Sequence, residues 1–87
     1  MKIEFSYKKN ADKFFSKHKD VEEKFKMNII SVLKGNSNID IKPLKGYKDI
    51  LRMRINSYRV IYQVKNGEII IIDVLAAGNR GEIYKDF

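Results

Sequence analysis

Between residues 51 and 64 the chain contains two alternating runs, LRMRI and YRVIYQV, separated only by Asn56 and Ser57. Strand-forming runs this close leave room for a two-residue hairpin turn and little else. A turn of that length fixes the register, so Ile55 faces Tyr58 and Arg54 faces Arg59. Successive strand side chains alternate faces. Arg52, Arg54 and Arg59 therefore emerge on one side of the sheet, and Leu51, Met53, Ile55, Tyr58, Val60 and Tyr62 on the other. Like charges directly opposed across a strand pair are destabilising. Either the face holds a place for an anion, with phosphate the best fit to planar guanidinium groups, or the side chains splay into solvent. The strand pair by itself leaves both readings open.

The remaining elements follow from changes of period. Ile3, Phe5 and Tyr7 alternate with Lys2, Glu4 and Ser6, which predicts a half-buried strand. Ala11, Phe14, Phe15 and His18 then recur at helical spacing and give a short helix one apolar stripe. Asp20 and Glu23 have the spacing of a capping box, which starts a second helix there. Val21, Phe25, Ile29, Val32 and Leu33 form its buried stripe, and Gly35 stands where a left-handed residue would end it. The turn between the helices is short, which predicts an antiparallel pair. Residues 36–40 read as a polar loop, and Pro43 excludes a helix running through it. Asn66-Gly67 predicts a type I′ turn leading to a strand over 68–75. The unbroken Ile69, Ile70, Ile71 and Ile72 mark that strand as buried on both faces and central. The predicted fold is a single α+β domain over 1–87, in the order strand, helix, helix, strand, strand, strand. Its sheet is small, mainly antiparallel and twisted, with the two N-terminal helices on one face.

Charge narrows the partner. Eighteen Lys and Arg against eleven Asp and Glu leave a formal net charge of +7, which favours nucleic acid or an acidic protein. The absence of cysteine removes disulfides and thiolate metal sites and suits a reducing cytosol. No signal-like or membrane-length apolar stretch is present, so a soluble, cytoplasmic chain that does not engage a membrane is expected. The only histidine, His18, closes an apolar stripe and reads as a packed side chain. The serines have no evident histidine partner for nucleophilic catalysis, and the glycines form neither a P-loop nor a dinucleotide fingerprint. Asp73, which interrupts an apolar strand, reads as structural, paired with a tyrosine hydroxyl or an arginine. Lys42, Lys45 and Lys48 surround Gly46 and Tyr47. They read either as a clasp for an RNA or ribosomal backbone or as ordinary solubilising lysines.

The order of elements, together with LKGYKDILRMRINSYRVIYQV and AAGNRGEIY, resembles the RelE/ParE superfamily of bacterial toxins from type II toxin-antitoxin pairs. The resemblance covers nearly the whole chain and is densest from residue 44 to residue 84. It implies a RelE-like fold and, for RelE-like members, an endoribonuclease that cleaves translated mRNA in the ribosomal A site with no metal or other cofactor. ParE-like members of the same fold inhibit DNA gyrase instead, and a basic RNA- or ribosome-binding module on this fold that cleaves nothing is a third reading. Arg52 and Arg54 fall where RelE-like toxins carry alternating basic residues on a strand. Arg59 matches the arginine of the family's YR strand, and Arg80 and Tyr84 match the cation and aromatic of its terminal motif. For these five positions the resemblance implies an RNA-cleaving site. It also implies a cognate acidic antitoxin, through which alone the pair would bind operator DNA.

The chain departs from the pattern where a proton would be exchanged. Many relatives carry histidine or lysine before the terminal arginine and lysine on the basic strand, whereas here those places hold Asn79, Arg52 and Arg54. An amide does not titrate and a guanidinium is a poor base. Lys48, Asp49, Glu82 and Tyr84 stand as local candidates for that role.

Overall fold

The computed structural model describes residues 2–36 and 38–79. Strand β1 (Ile3–Tyr7) leads into helices α1 (Lys9–Lys17) and α2 (Lys19–Leu33), followed by β2 (Ile41–Pro43), β3 (Ile50–Ile55), β4 (Tyr58–Lys65) and β5 (Ile70–Asn79). Among the described residues these strands form one five-stranded sheet in the order β1-β5-β4-β3-β2. β1 runs parallel to β5, and the remaining pairs are antiparallel. The sheet is thus mixed, with β5 in its interior as expected, although the strand runs Ile70–Asn79 rather than 68–75 and only Ile72 of the isoleucine run is fully buried.

The core lies between the helices and one face of the sheet. Ala11 and Phe15 of α1 and Val21, Phe25 and Ile29 of α2 are buried against Met53, Ile55, Val60, Tyr62, Ile72 and Val74. Phe25 is central to it, with edge contacts to Phe5 and Tyr62 and a tilted one to Phe15. Burial pushes the Tyr62 phenol up to about 12. Burial and the nearby Glu22 carboxylate also raise that of Tyr7. Both rings therefore pack as neutral groups at physiological pH. His18 joins the two helices alone and stacks on the Phe14 ring at 4.2 Å, with its Nδ1 3.1 Å from the Phe14 carbonyl oxygen. Gly35 takes φ 98° just past α2, as the left-handed stop requires. Among the described residues, no helix is long and apolar enough to cross a membrane.

The structure corrects four local expectations. Helix α2 starts at Lys19, and its N-cap His18 makes no side-chain capping bond. Asp20 lies inside the first turn, where its charge favours the helix dipole but cannot cap. The His18 carbonyl accepts from the Val21 and Glu22 amides instead. Asn66 and Gly67 do not form a type I′ turn, because neither has positive φ. Lys65 pairs with Ile71, so residues 66–69 connect the strands and Ile70 lies beyond the end of the β4–β5 pairing. Ile70 is drawn to β1, where its amide donates to the Lys2 carbonyl, and a loop of that length needs no positive φ. The polar segment before Pro43 continues into an additional edge strand, β2, a position where proline's missing N–H is tolerated. Asp73, 7% exposed, pairs with neither a tyrosine nor an arginine but with Lys65, at 3.7 Å.

One irregularity positions the C-terminal end of β5. Ile61 pairs with Ala76 but Tyr62 with Val74, so Leu75 is an extra residue forming a bulge. β1 ends at the same level, since Tyr7 pairs with Val74. Beyond that point the Ala77 amide has lost its neighbouring strand, and it donates instead to Asn10 Oδ1 at 3.1 Å. Replacing Asn10 with alanine leaves a buried amide without this acceptor, and is expected to cost about 1–3 kcal/mol of stability. Urea denaturation checks this, and a loss below about 0.5 kcal/mol would show the bond to be incidental.

Candidate nucleic-acid interface

The hairpin forms in the predicted register. Asn56 takes φ 55° in the turn, Ile55 pairs with Tyr58, and Arg54 lies directly across from Arg59. Directly opposed side chains have Cβ atoms about 4.5–5.5 Å apart. On the face away from the helices, the backbone pairings arrange side chains in rows. One row runs from Arg54 through Arg59 to Gly78, and the Arg54 amide donates to the Asp40 carbonyl at its outer end. The next runs Lys42, Arg52, Ile61, Ala76. Ile61 and Ala76, both buried, form a second apolar cluster with Leu44, Ile50 and Leu75. The arginines thus stand beside an apolar patch on a rigid sheet, with their backbone positions fixed by ladder hydrogen bonds.

The three arginines differ in surroundings. Arg54 is exposed and Arg59 half-buried. Arg52 is only 12% exposed, and its guanidinium donates to Asp40 Oδ1 at 3.2 Å. Beside Arg59, Gly78 offers no side chain, and a Cβ built there meets nothing within 4 Å. The sheet therefore leaves space next to the Arg54–Arg59 pair that a larger residue would fill.

Of the three lysines, Lys42 is exposed on β2 and joins the arginine rows through its pairing with Arg52. Lys45 and Lys48 are exposed in the connection between β2 and β3. This connection is closed by bonds from the Leu44 amide to the Ile50 carbonyl and from the Tyr47 amide to the Leu44 carbonyl. Gly46 at φ 87° and Asp49 at φ 63° make its sharp corners. The strand rise puts the loop end of β3 about 13 Å from Arg54, so Lys45 and Lys48 flank the face rather than complete the arginine pair. Lys48 and Asp49, both considered as proton acceptors, belong to this loop. Arg80, Glu82 and Tyr84 lie outside the described residues. Asn79, the last described residue, pairs with Tyr58.

Asp40 is the residue of this face that the sequence reading missed. The alternation Ile39, Asp40, Ile41, Lys42 is its signal, since Ile39 and Ile41 pack on the core while Asp40 meets Arg52 on the other face. Three guanidinium groups and one ammonium against a single carboxylate leave these rows cationic. Such a surface suits phosphate groups in succession.

The family described as ParE toxin of type II toxin-antitoxin system, parDE, matches residues 5–81. The crystal structure of the RelB-RelE antitoxin-toxin complex from Methanococcus jannaschii includes a similar chain. The similarity covers 94% of this chain and 98% of that one, at 29% sequence identity and a TM-score of 0.61. No curated protein matches significantly.

Proposed function

This chain belongs to the RelE/ParE superfamily of type II toxin-antitoxin toxins, its ParE-family match running over residues 5–81, and from that premise we propose that its arginine-bearing sheet face cleaves translated mRNA on the ribosome. The observation that supports this reading is the cross-strand pair Arg54–Arg59, with Arg52 in the next row. The proposed reaction needs no metal. The ribose 2′-hydroxyl attacks its own 3′-phosphate, breaking the bond to the next nucleotide and leaving a cyclic phosphate and a free 5′-hydroxyl. Negative charge grows on the phosphate oxygens, and guanidinium groups fixed beforehand stabilise it without reorganising. Arg80 and Tyr84 join the site on the resemblance of GNRGEIY, Tyr84 as a stacking platform that holds the backbone in line for attack. Since Asn79 cannot titrate, positioning by the arginines takes the larger share of catalysis.

The proposed partner is a cognate acidic antitoxin, partly disordered and folding as it wraps the cationic domain. It would supply whatever operator-DNA binding the pair has. The family description favours a second reading, a ParE-like toxin that blocks DNA gyrase by binding and cleaves nothing. Inducible expression followed by mapping of mRNA 5′ ends separates the two. Codon-phased cuts are expected; intact mRNA with DNA damage would support the second reading.

A further inference from the structure

Asp40 is the one carboxylate that the described residues place in the arginine rows. Its backbone carbonyl accepts from the Arg54 amide, while its side chain reaches diagonally to Arg52, 3.2 Å away. The two partners are unequally covered: the Asp40 side chain is 45% exposed and that of Arg52 12%. An ion pair with one member this open adds little to stability, so pinning β2 is a weak reason for it. A carboxylate does, however, meet a guanidinium through the same charge-assisted donors that a phosphate uses. Asp40 therefore occupies at Arg52 a donor that a backbone phosphate oxygen would take.

We infer that Asp40 is a resident competitor for phosphate: it neutralises Arg52 in the free toxin and yields it only when single-stranded RNA is laid across the face. Arg54 and Arg59 stay available to make first contact, and Arg52 joins when the nucleic acid displaces the carboxylate. Free RNA is thus held weakly, and RNA presented in a fixed geometry is held better. This inference rests on the RNA-binding part of the proposed function and not on cleavage.

The test is a double-mutant cycle on the purified full chain, measuring affinity for a short labelled single-stranded RNA over a series of salt concentrations. Asp40→Asn keeps the side-chain shape and removes the charge. It is expected to bind about threefold to fivefold tighter at about 0.1 M salt. The slope of log affinity against log salt should steepen by about 0.7, the release expected from one more phosphate contact. In an Arg52→Ala background the same change should have no effect. An equal gain in that background would overturn the inference, because charge alone would then explain it. Unchanged or weaker binding by Asp40→Asn would overturn it as well. If the parent fails to cleave ribosome-bound mRNA while Asp40→Asn gains affinity through Arg52, the cleavage reading falls and this one stands. Cleavage by the parent with no Asp40 effect removes this one alone.

Discussion

Replacing Arg59 with alanine is expected to slow cleavage of ribosome-bound mRNA by about 10²-fold or more, roughly 3 kcal/mol of transition-state stabilisation. The residue is half-buried and directly opposite Arg54, so the ladder fixes its backbone, and partial burial narrows the range of its side chain, before the phosphate arrives. The same pairing predicts that folding scarcely suffers, since truncation relieves like-charge repulsion across the strands. Single-turnover rates and thermal melts of the same preparations separate the two effects. A variant that unfolded while its rate per folded molecule stayed unchanged would make Arg59 a structural residue.

The largest stability effect is expected at Phe25, which is fully buried and touches Phe5, Phe15 and Tyr62. Phe25→Ala removes the ring that ties α2 to both the first strand and the centre of the sheet. The expected cost is about 3–5 kcal/mol, a large part of the roughly 5–15 kcal/mol that stabilises a typical domain. Chemical denaturation should show a lowered midpoint or outright unfolding. A loss below about 1 kcal/mol would mean that the neighbouring rings close the cavity and that the aromatic cluster does not anchor the core.

What the sequence made legible was local. The Asn56-Ser57 hairpin is legible to the residue, because a two-residue turn permits one register, and that register places Arg54 opposite Arg59, as the structure does. The apolar stripes of both helices followed from periodicity, with Val32 falling outside the core, and the left-handed Gly35 followed from its place just past the second stripe. The misses are non-local. β2 is three residues long and ends on Pro43, too short for its alternation to stand out, and it exists because β3 offers a free edge. Nothing local announces that β1 lies parallel to β5, or that β1 competes for Ile70 and so opens the Asn66-Gly67 turn. Asp40 went unnoticed for the same reason, since its meeting with Arg52 depends on the β2–β3 pairing. Within the site, Arg52, Arg54, Arg59 and Lys42 are brought together on one face, Lys45 and Lys48 flank it, and Arg80 and Tyr84 lie outside the described residues.

The central claim is that this face promotes attack by a 2′-hydroxyl on its neighbouring phosphate. It is tested most directly with ribosomes programmed with two mRNAs that differ by one 2′-deoxyribonucleotide at the scissile position. The purified toxin is expected to cut the all-ribose message, leaving a cyclic phosphate and a 5′-hydroxyl, and to leave the substituted bond intact. Equal cleavage of both messages would contradict the mechanism, and intact messages accompanied by inhibition of DNA gyrase would contradict the assignment of the face to RNA.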